Sequence, residues 1–365
     1  MKINLSTAIV LVLVTAHYIC AKKNNTTTMK EFKINIKTFF ILLLLICFVK
    51  NTFSQLNSTP TPTGILVDAG GHKLHLNMQG KGSPTVIFEN GSADFSFVWS
   101  LVQPEVAKFT KTVSYDRAGY AWSEPGPTPR TSKQICFEFH TALHNAGISG
   151  PYILVGQSFG GFLVRAFARY YPGEVAGMVL VEAVQEDQRI FMGGDTPKRI
   201  REFAQGRPLP SVQTFFKPVS INREAATFDS TIEFPLNRLS PKLQRLQIWA
   251  QSQPAYRDAA MAEMDWSPED VANMYKHKDE TSYKLGNIPL MVLTIGKGGY
   301  DGRTDSAQLE TERLKVQGEL AHLSTNSKHT IDYNSGHNIH LEDPQAVIDA
   351  VKEIFWAVKK NKYLR

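Results

Sequence analysis

"YILVGQSFGGFLVRAFARYYP", residues 152–172, decides the fold. An apolar, β-rich run ends at Val155, Ser158 stands between Gly156 and Gly160, and an amphipathic stretch follows. A buried strand that passes into a helix through one tight turn has this pattern. A residue on so sharp a turn is held in a strained backbone conformation that only small neighbours allow. Its side chain then projects from the top of the sheet. The helix points its N-terminal amides at the same spot, ready for a developing negative charge. A serine hydroxyl is a poor nucleophile at neutral pH, so a base must lie within reach. The bland reading is a turn serine without chemistry, because G-x-S-x-G occurs by chance in long chains. The strand before it and the helix after it favour the functional reading.

The neighbouring segments repeat the theme. "TVIFENG" (85–91), "KTVSYDRAGYAWSE" (111–124) and "GMVLVEA" (177–183) each open with a short β-rich run. Helical patterns lie at about 98–108, 132–147 and 160–171, and "GILVDAGGHKLHLNMQG" (64–80) reads as a hairpin turning at Gly70-Gly71. Strands alternating with helices call for a mainly parallel sheet covered on both faces. Residues 185–285 then read as a helical insertion without strand runs. "IPLMVLTIG" (288–296) resumes the sheet, a helix follows near 305–323, "HTIDYN" (329–334) is a last strand, and 343–360 a closing helix. The expected organisation is a leader (1–54), a linker (55–63), a core (64–184 and 286–365) and a cap (185–285).

The 365 residues carry a formal charge of +6, with 42% hydrophobic and 20% charged residues. That composition suits a globular chain with a large core. Residues 1–54 hold seven lysines and one acid, Glu31, and without them 33 basic residues face 33 acidic ones. The basic excess belongs to the leader, so charge gives no argument for nucleic-acid binding. "MKEFKINIKTFFILLLLICFVKNTFSQ" (29–55) has lysines, an apolar stretch from Thr38 to Val49, and Thr52 and Ser54 at −3 and −1 cleavage positions. It reads as a signal peptide cleaved near Ser54, of an exported (periplasmic or secreted) protein. An uncleaved anchor is the alternative, and translation may begin at Met1 or at Met29. Only Cys136 of the three cysteines lies beyond the leader, in a helical pattern where a buried structural thiol is expected. No CxxC or HExxH spacing suggests a metal.

The segments "YDRAGYAWSEPGP", "GPYILVGQSFGGFLVRAFARYYPGEVAGMVLVEA" and "SGHNIHLEDPQAVIDAV" together resemble the α/β-hydrolases over about residues 64–360. The resemblance implies an α/β fold with an eight-stranded sheet, a helical cap inserted after the sixth strand, and a triad in the order Ser, acid, His. Ser158 would be the nucleophile. The base would be His337, in the loop after the last strand and at the family's Gly-His position, with His340 close enough to be mistaken for it. The other histidines read as surface or packing residues. Three acids compete: Glu182 at the end of the sixth strand, and Asp301 and Asp305 after the seventh. A carboxylate closing an apolar strand is costly unless paired, which favours Glu182 with a histidine partner. The resemblance also implies an oxyanion hole from the N–H of Phe159 and a second amide in "FENGSADFS", that of Ser92 with Gly91 next. Relatives commonly carry His-Gly where this chain has Asn90-Gly91.

In "YDRAGYAWSE", Asp116 and Arg117 either brace the loop beside the nucleophile or form an ordinary salt bridge. Tyr120 and Trp122 either line the pocket or pack. Arg199, Arg201 and Arg207 in the cap either receive an acidic substrate or sit on a solvated face. The function implied is a serine hydrolase of a carboxylic ester, thioester, lactone or small amide, working through an acyl-enzyme. Alternatives are an aminopeptidase similar to the proline iminopeptidases and a non-catalytic binding protein on the same fold. No cofactor and no metal is expected. The expected partner is a small ester or amide, with a membrane involved only if the leader is retained.

Overall fold

The computed structural model describes residues 59–191, 196–218, 230–298, 300 and 302–364. The leader, with Met29, Cys20, Cys47 and the cleavage position at Ser54, lies outside the described residues. Among the described residues no helix is long and apolar enough to cross a membrane. Residues 61–365 cluster as one unit.

The first half of that unit holds β1 (Ile65–Asp68), β2 (Lys73–Gln79), β3 (Val86–Glu89), α1 (Gln103–Val106), β4 (Thr112–Tyr115), α2 (Ser132–Asn145), β5 (Tyr152–Gln157), α3 (Phe159–Tyr170) and β6 (Val175–Val181). The insertion contributes β7 (Arg189–Ile190), β8 (Lys198–Arg199), α4 (Pro241–Gln251) and α5 (Pro254–Lys276). The chain closes with β9 (Leu290–Ile295), α6 (Ser306–Glu319), β10 (Ser327–Asp332), α7 (Ile339–Glu342) and α8 (Pro344–Lys360).

β5 shows why the sheet is buried on both sides. Its residues alternate between two apolar clusters, Tyr152 and Leu154 in one, Ile153 and Val155 in the other. β6 does the same with Met178 and Leu180 against Val179 and Val181. Successive strand side chains point to opposite faces, so a strand apolar at every position must be covered twice. Residues of α2 and α3 belong to the first cluster, and those of α1 and α8 to the second. The eight-stranded sheet runs β1-β2-β4-β3-β5-β6-β9-β10. Its β1–β2 and β2–β4 pairs are antiparallel and the others parallel. The expected hairpin turns at Gly70-Gly71, whose amides donate to Asp68 Oδ1 at 2.9 and 2.7 Å. Cys136 is a buried free thiol.

The insertion departs from the expected all-helical form. Arg189–Ile190 pairs antiparallel with Lys198–Arg199, and residues 204–218 form no helix or strand. Pro208, Pro210 and Pro218 explain the second departure, since each lacks the N–H a helix needs. Helix α5 ties the insertion to the core. Its buried Asp270 accepts from the amide and hydroxyl of Ser132, both at 2.7 Å, and so satisfies the exposed N-terminus of α2.

Replacing Asp270 with alanine leaves a buried N–H without an acceptor. The expected loss is about 1–3 kcal/mol. Urea denaturation reads it as a lower midpoint at unchanged slope, and an unmoved midpoint would remove Asp270 from the fold's supports.

Candidate active site

Ser158 is the hinge between β5 and α3, with φ 52° and ψ −120°. Its N–H donates to Val181 O at 3.0 Å, and its carbonyl accepts from Gly161 and Val184, each at 3.0 Å. The left-handed conformation is therefore held by β6 on one side and by the first turn of α3 on the other. Two glycines make the turn possible. A Cβ on Gly156 would lie 2.7 Å from Gly161 N, and one on Gly160 would lie 2.6 Å from Asn90 O. The second clash matters chemically, because it shows how closely the 89–92 loop presses on the start of α3.

Phe159 opens α3, so its N–H lies ahead of the helix's own hydrogen-bond ladder. The second expected donor is set by Arg117. This buried guanidinium donates to Asn90 O at 2.9 Å and to Gly91 O at 2.8 Å. A trans peptide directs its N–H opposite to its C=O. With the Gly91 carbonyl held by Arg117, the Ser92 N–H faces away from the guanidinium, and Ser92 lines the same pocket as Ser158. Asn90 is fixed in turn, donating to Tyr115 O at 2.7 Å and accepting from Trp99 Nε1 at 2.9 Å.

The two readings of Asp116 and Arg117 are both partly met. Arg117 braces the loop and is also salt-bridged, to Glu89 at 2.9 Å and to Glu263 of α5 at 3.1 Å. Burial pushes the Glu89 carboxyl up to about 7 while Arg117 pulls it down. Asp116 accepts from Ser96 N and faces His75 Nδ1, each at 2.7 Å. Tyr120 and Trp122 are packed aromatics and not pocket walls.

His337 follows β10 and lines the same pocket as Ser158. Its carbonyl accepts from Gln157 Nε2 at 3.1 Å. Glu342 holds the loop from beneath, accepting from Gly336 N at 2.8 Å and Asn338 N at 3.2 Å. Desolvation lowers the His337 pKa from its usual value, Glu342 raises it, and Arg313 lowers it. His340 is a different case. It is buried against Trp99 with ring centroids 4.7 Å apart, and desolvation drives it down to about 3, so it stays neutral and out of the pocket.

Glu182 stands one strand over, also at positive φ (42°) and buried. Its oxygens accept from Ile295 N at 2.8 Å and Arg313 Nη1 at 3.1 Å. The histidine partner expected for this carboxylate is, in the structure, an arginine from α6. Burial raises the Glu182 pKa and Arg313 opposes it. Among the described residues no hydrogen bond joins Ser158 to His337 or His337 to Glu182. Asp301 lies outside the described residues. Asp305 pairs with Arg303 at 2.8 Å at the start of α6, away from the pocket. The cap arginines are not in the pocket either: Arg199 and Arg201 meet Asp187, and Arg207 meets Asp265 and Glu269. No group of His, Cys, Asp or Glu among the described residues could hold a metal ion.

Three residues escaped the sequence reading. Gln157 sits inside the quoted G-Q-S-F-G and was legible as the side chain nearest the serine. Glu342 lies in "NIHLEDP", but nothing in its spacing shows that it folds back on Gly336. Asp94, in "GSADFS", lines the pocket, and burial pushes it up to about 6 against the pull of Arg117.

Comparison with known proteins bears on this geometry. The model of the alpha/beta hydrolase family matches residues 86–350. The uncharacterized protein YqjL of Bacillus subtilis is 23% identical over 279 residues, 76% of this chain and 86% of that one. The 2-hydroxy-6-oxo-2,4-heptadienoate hydrolase of Pseudomonas putida is 28% identical over 123 residues, 33% of this chain and 45% of that one. The chain spans half or less of the length of most curated relatives it matches. Among solved structures, a putative lipase of Acinetobacter baumannii superposes with a TM-score of 0.57 at 15% identity, covering 93% of this chain and all of that one, a likeness of fold.

A base must be neutral to accept a proton, so the catalytic efficiency should be full above the His337 pKa and lost as pH falls through it. The acidic limb of kcat/KM is expected below the usual 6.5. Glu342→Gln removes the charge that props the imidazole up and should move the limb to lower pH still. A limb above 6.5, or a shift upward in the variant, contradicts the assignment.

Proposed function

The chain belongs to the alpha/beta hydrolase family, and from that we propose a serine hydrolase that cleaves a carboxylic ester, thioester, lactone or small amide through an acyl-enzyme on Ser158. The observation that carries it is the strained Ser158 at the strand–helix junction, sharing one pocket with His337. In this reading the hydroxyl adds to the substrate carbonyl as the His337 ring takes its proton. The oxyanion rests on the N–H groups of Phe159 and Ser92, a single such donor contributing about 3 kcal/mol. The tetrahedral adduct expels the leaving group with the proton His337 returns to it. Water then repeats the sequence to free the acid.

The proposal keeps Glu182 as the third member. Both contacts absent from the described structure involve His337, and this reading requires its loop to bring the ring to them when substrate binds. Unliganded catalytic hydrogen bonds are often long and tighten only around substrate. The dienoate in the name of the Pseudomonas putida relative is an anion, and among the described residues no Lys or Arg lines this pocket to receive one.

A fluorophosphonate probe tests the chemistry. Folded wild type should label, Ser158→Ala should not, and Glu182→Gln should label at least tenfold more slowly at neutral pH. Absence of labelling in folded wild type points to a binding protein. An unslowed Glu182→Gln leaves Glu182 as the counter-ion of Arg313 alone.

Export is part of the same proposal, supported by the lysines, apolar stretch and small residues of 30–54. Protein recovered outside the cytoplasm should begin at Gln55 on N-terminal sequencing. An intact leader on membrane-associated protein would establish the anchor instead.

A further inference from the structure

We infer that the catalytic pocket selects substrates carrying a cationic nitrogen, held between the carboxylates of Asp94 and Glu233. The inference rests on the serine-hydrolase reading and adds the substrate class to it.

The pocket beside Ser158 is about 610 Å³, large enough for a small-molecule substrate. Among the described residues that line it, the titratable side chains besides His337 are two acids, Asp94 and Glu233. Asp94 comes from the core loop that also supplies Ser92, and Glu233 comes from the insertion. Among the described residues neither carboxylate has a hydrogen-bond or ion-pair partner. Arg117 is the cation whose charge acts on Asp94, but its nitrogens donate to Glu263, Glu89, Asn90 O and Gly91 O. Two buried acids thus already face its single charge.

An unpaired carboxylate in a partly desolvated cleft is unfavourable until a cation joins it. Burial pushes Asp94 up to about 6, so it is mostly ionised at neutral pH, and a bound cation would hold it so. Phe234 lines the same pocket with its ring largely exposed (61%). An aromatic ring lining the same pocket as two acids suits an ammonium, which the ring quadrupole attracts while the carboxylates supply charge. The cap arginines that would favour the opposite sign are paired elsewhere.

The test compares two phosphonylating probes on the full chain: one with a trimethylammonioethyl group, and its neutral 3,3-dimethylbutyl isostere. Each forms a bond from Ser158 Oγ to phosphorus and expels the same leaving group, so shape and chemistry are matched. The cationic probe should label wild type at least tenfold faster. That ratio should fall with added salt and drop about tenfold in Asp94→Asn/Glu233→Gln. Glu233→Gln alone, at an exposed site that places little demand on folding, should lower it severalfold. A wild-type ratio at or below one overturns the inference while leaving the hydrolase intact. A high ratio untouched by either variant overturns the assignment to these two acids. Failure of both probes to label folded protein brings down the hydrolase reading and this inference with it.

Discussion

A serine held at positive φ is the constraint from which the rest of the site follows. Such a conformation costs on the order of 1–3 kcal/mol and persists only where the surroundings over-determine it. Here β6 takes the Ser158 amide, while Gly161 and Val184 take its carbonyl. The absence of a Cβ on Gly160 has a second effect, because the backbone of Glu89 and Asn90 fills that space. The 89–92 loop is thereby fixed against the start of α3. One backbone torsion thus positions the Ser158 hydroxyl, a helix N-terminus and an amide-bearing loop together.

Arg117 extends that constraint outward. A buried ion pair adds little net stability, since desolvation offsets much of the attraction. Its value here is directional: two of its hydrogen bonds go to backbone carbonyls of the loop, and two to carboxylates from different parts of the chain. Glu89 ends a core strand and Glu263 lies on α5 of the insertion. A shift of α5 would therefore pull on the guanidinium that orients Gly91 and Ser92. Tyr120 reinforces the link by donating to Glu263 at 2.8 Å.

The core was legible because its strands are apolar at consecutive positions and its turns carry glycine. The six parallel-sheet runs, the hairpin at Gly70-Gly71 and the helices after them were placed to within a few residues. Ser158 and His337 could be singled out because each sits at a strand end where a loop must begin. The insertion was not, because its two-residue strands are shorter than any periodicity can show, and residues 204–218 are shaped by prolines instead of by an apolar stripe. The contacts Glu182 makes in the structure were not legible for a related reason. Sequence shows that a buried carboxylate needs compensation, but not which element supplies it, and Arg313 lies 131 positions away on α6. Asp94 and Glu342 were missed because their roles depend on loops folding back on themselves.

The distribution of charge separates what the core does from what the insertion does. Arginines at 117, 165 and 313 are buried and each is matched by a carboxylate, at Glu89 and Glu263, Glu186 and Glu182 respectively. Those pairings set a carboxylate against each of these buried cations. Four arginines of the insertion, Arg189, Arg199, Arg201 and Arg207, pair with acids away from the pocket. Among the described residues, the two acids that line the pocket with Ser158 come one from a core loop and one from the insertion. Because they reach the pocket from different elements, the fold keeps the nucleophile's geometry independent of the residues that decide what is allowed near it. Changes in the insertion can alter the second without disturbing the first, provided Glu263 keeps its hold on Arg117.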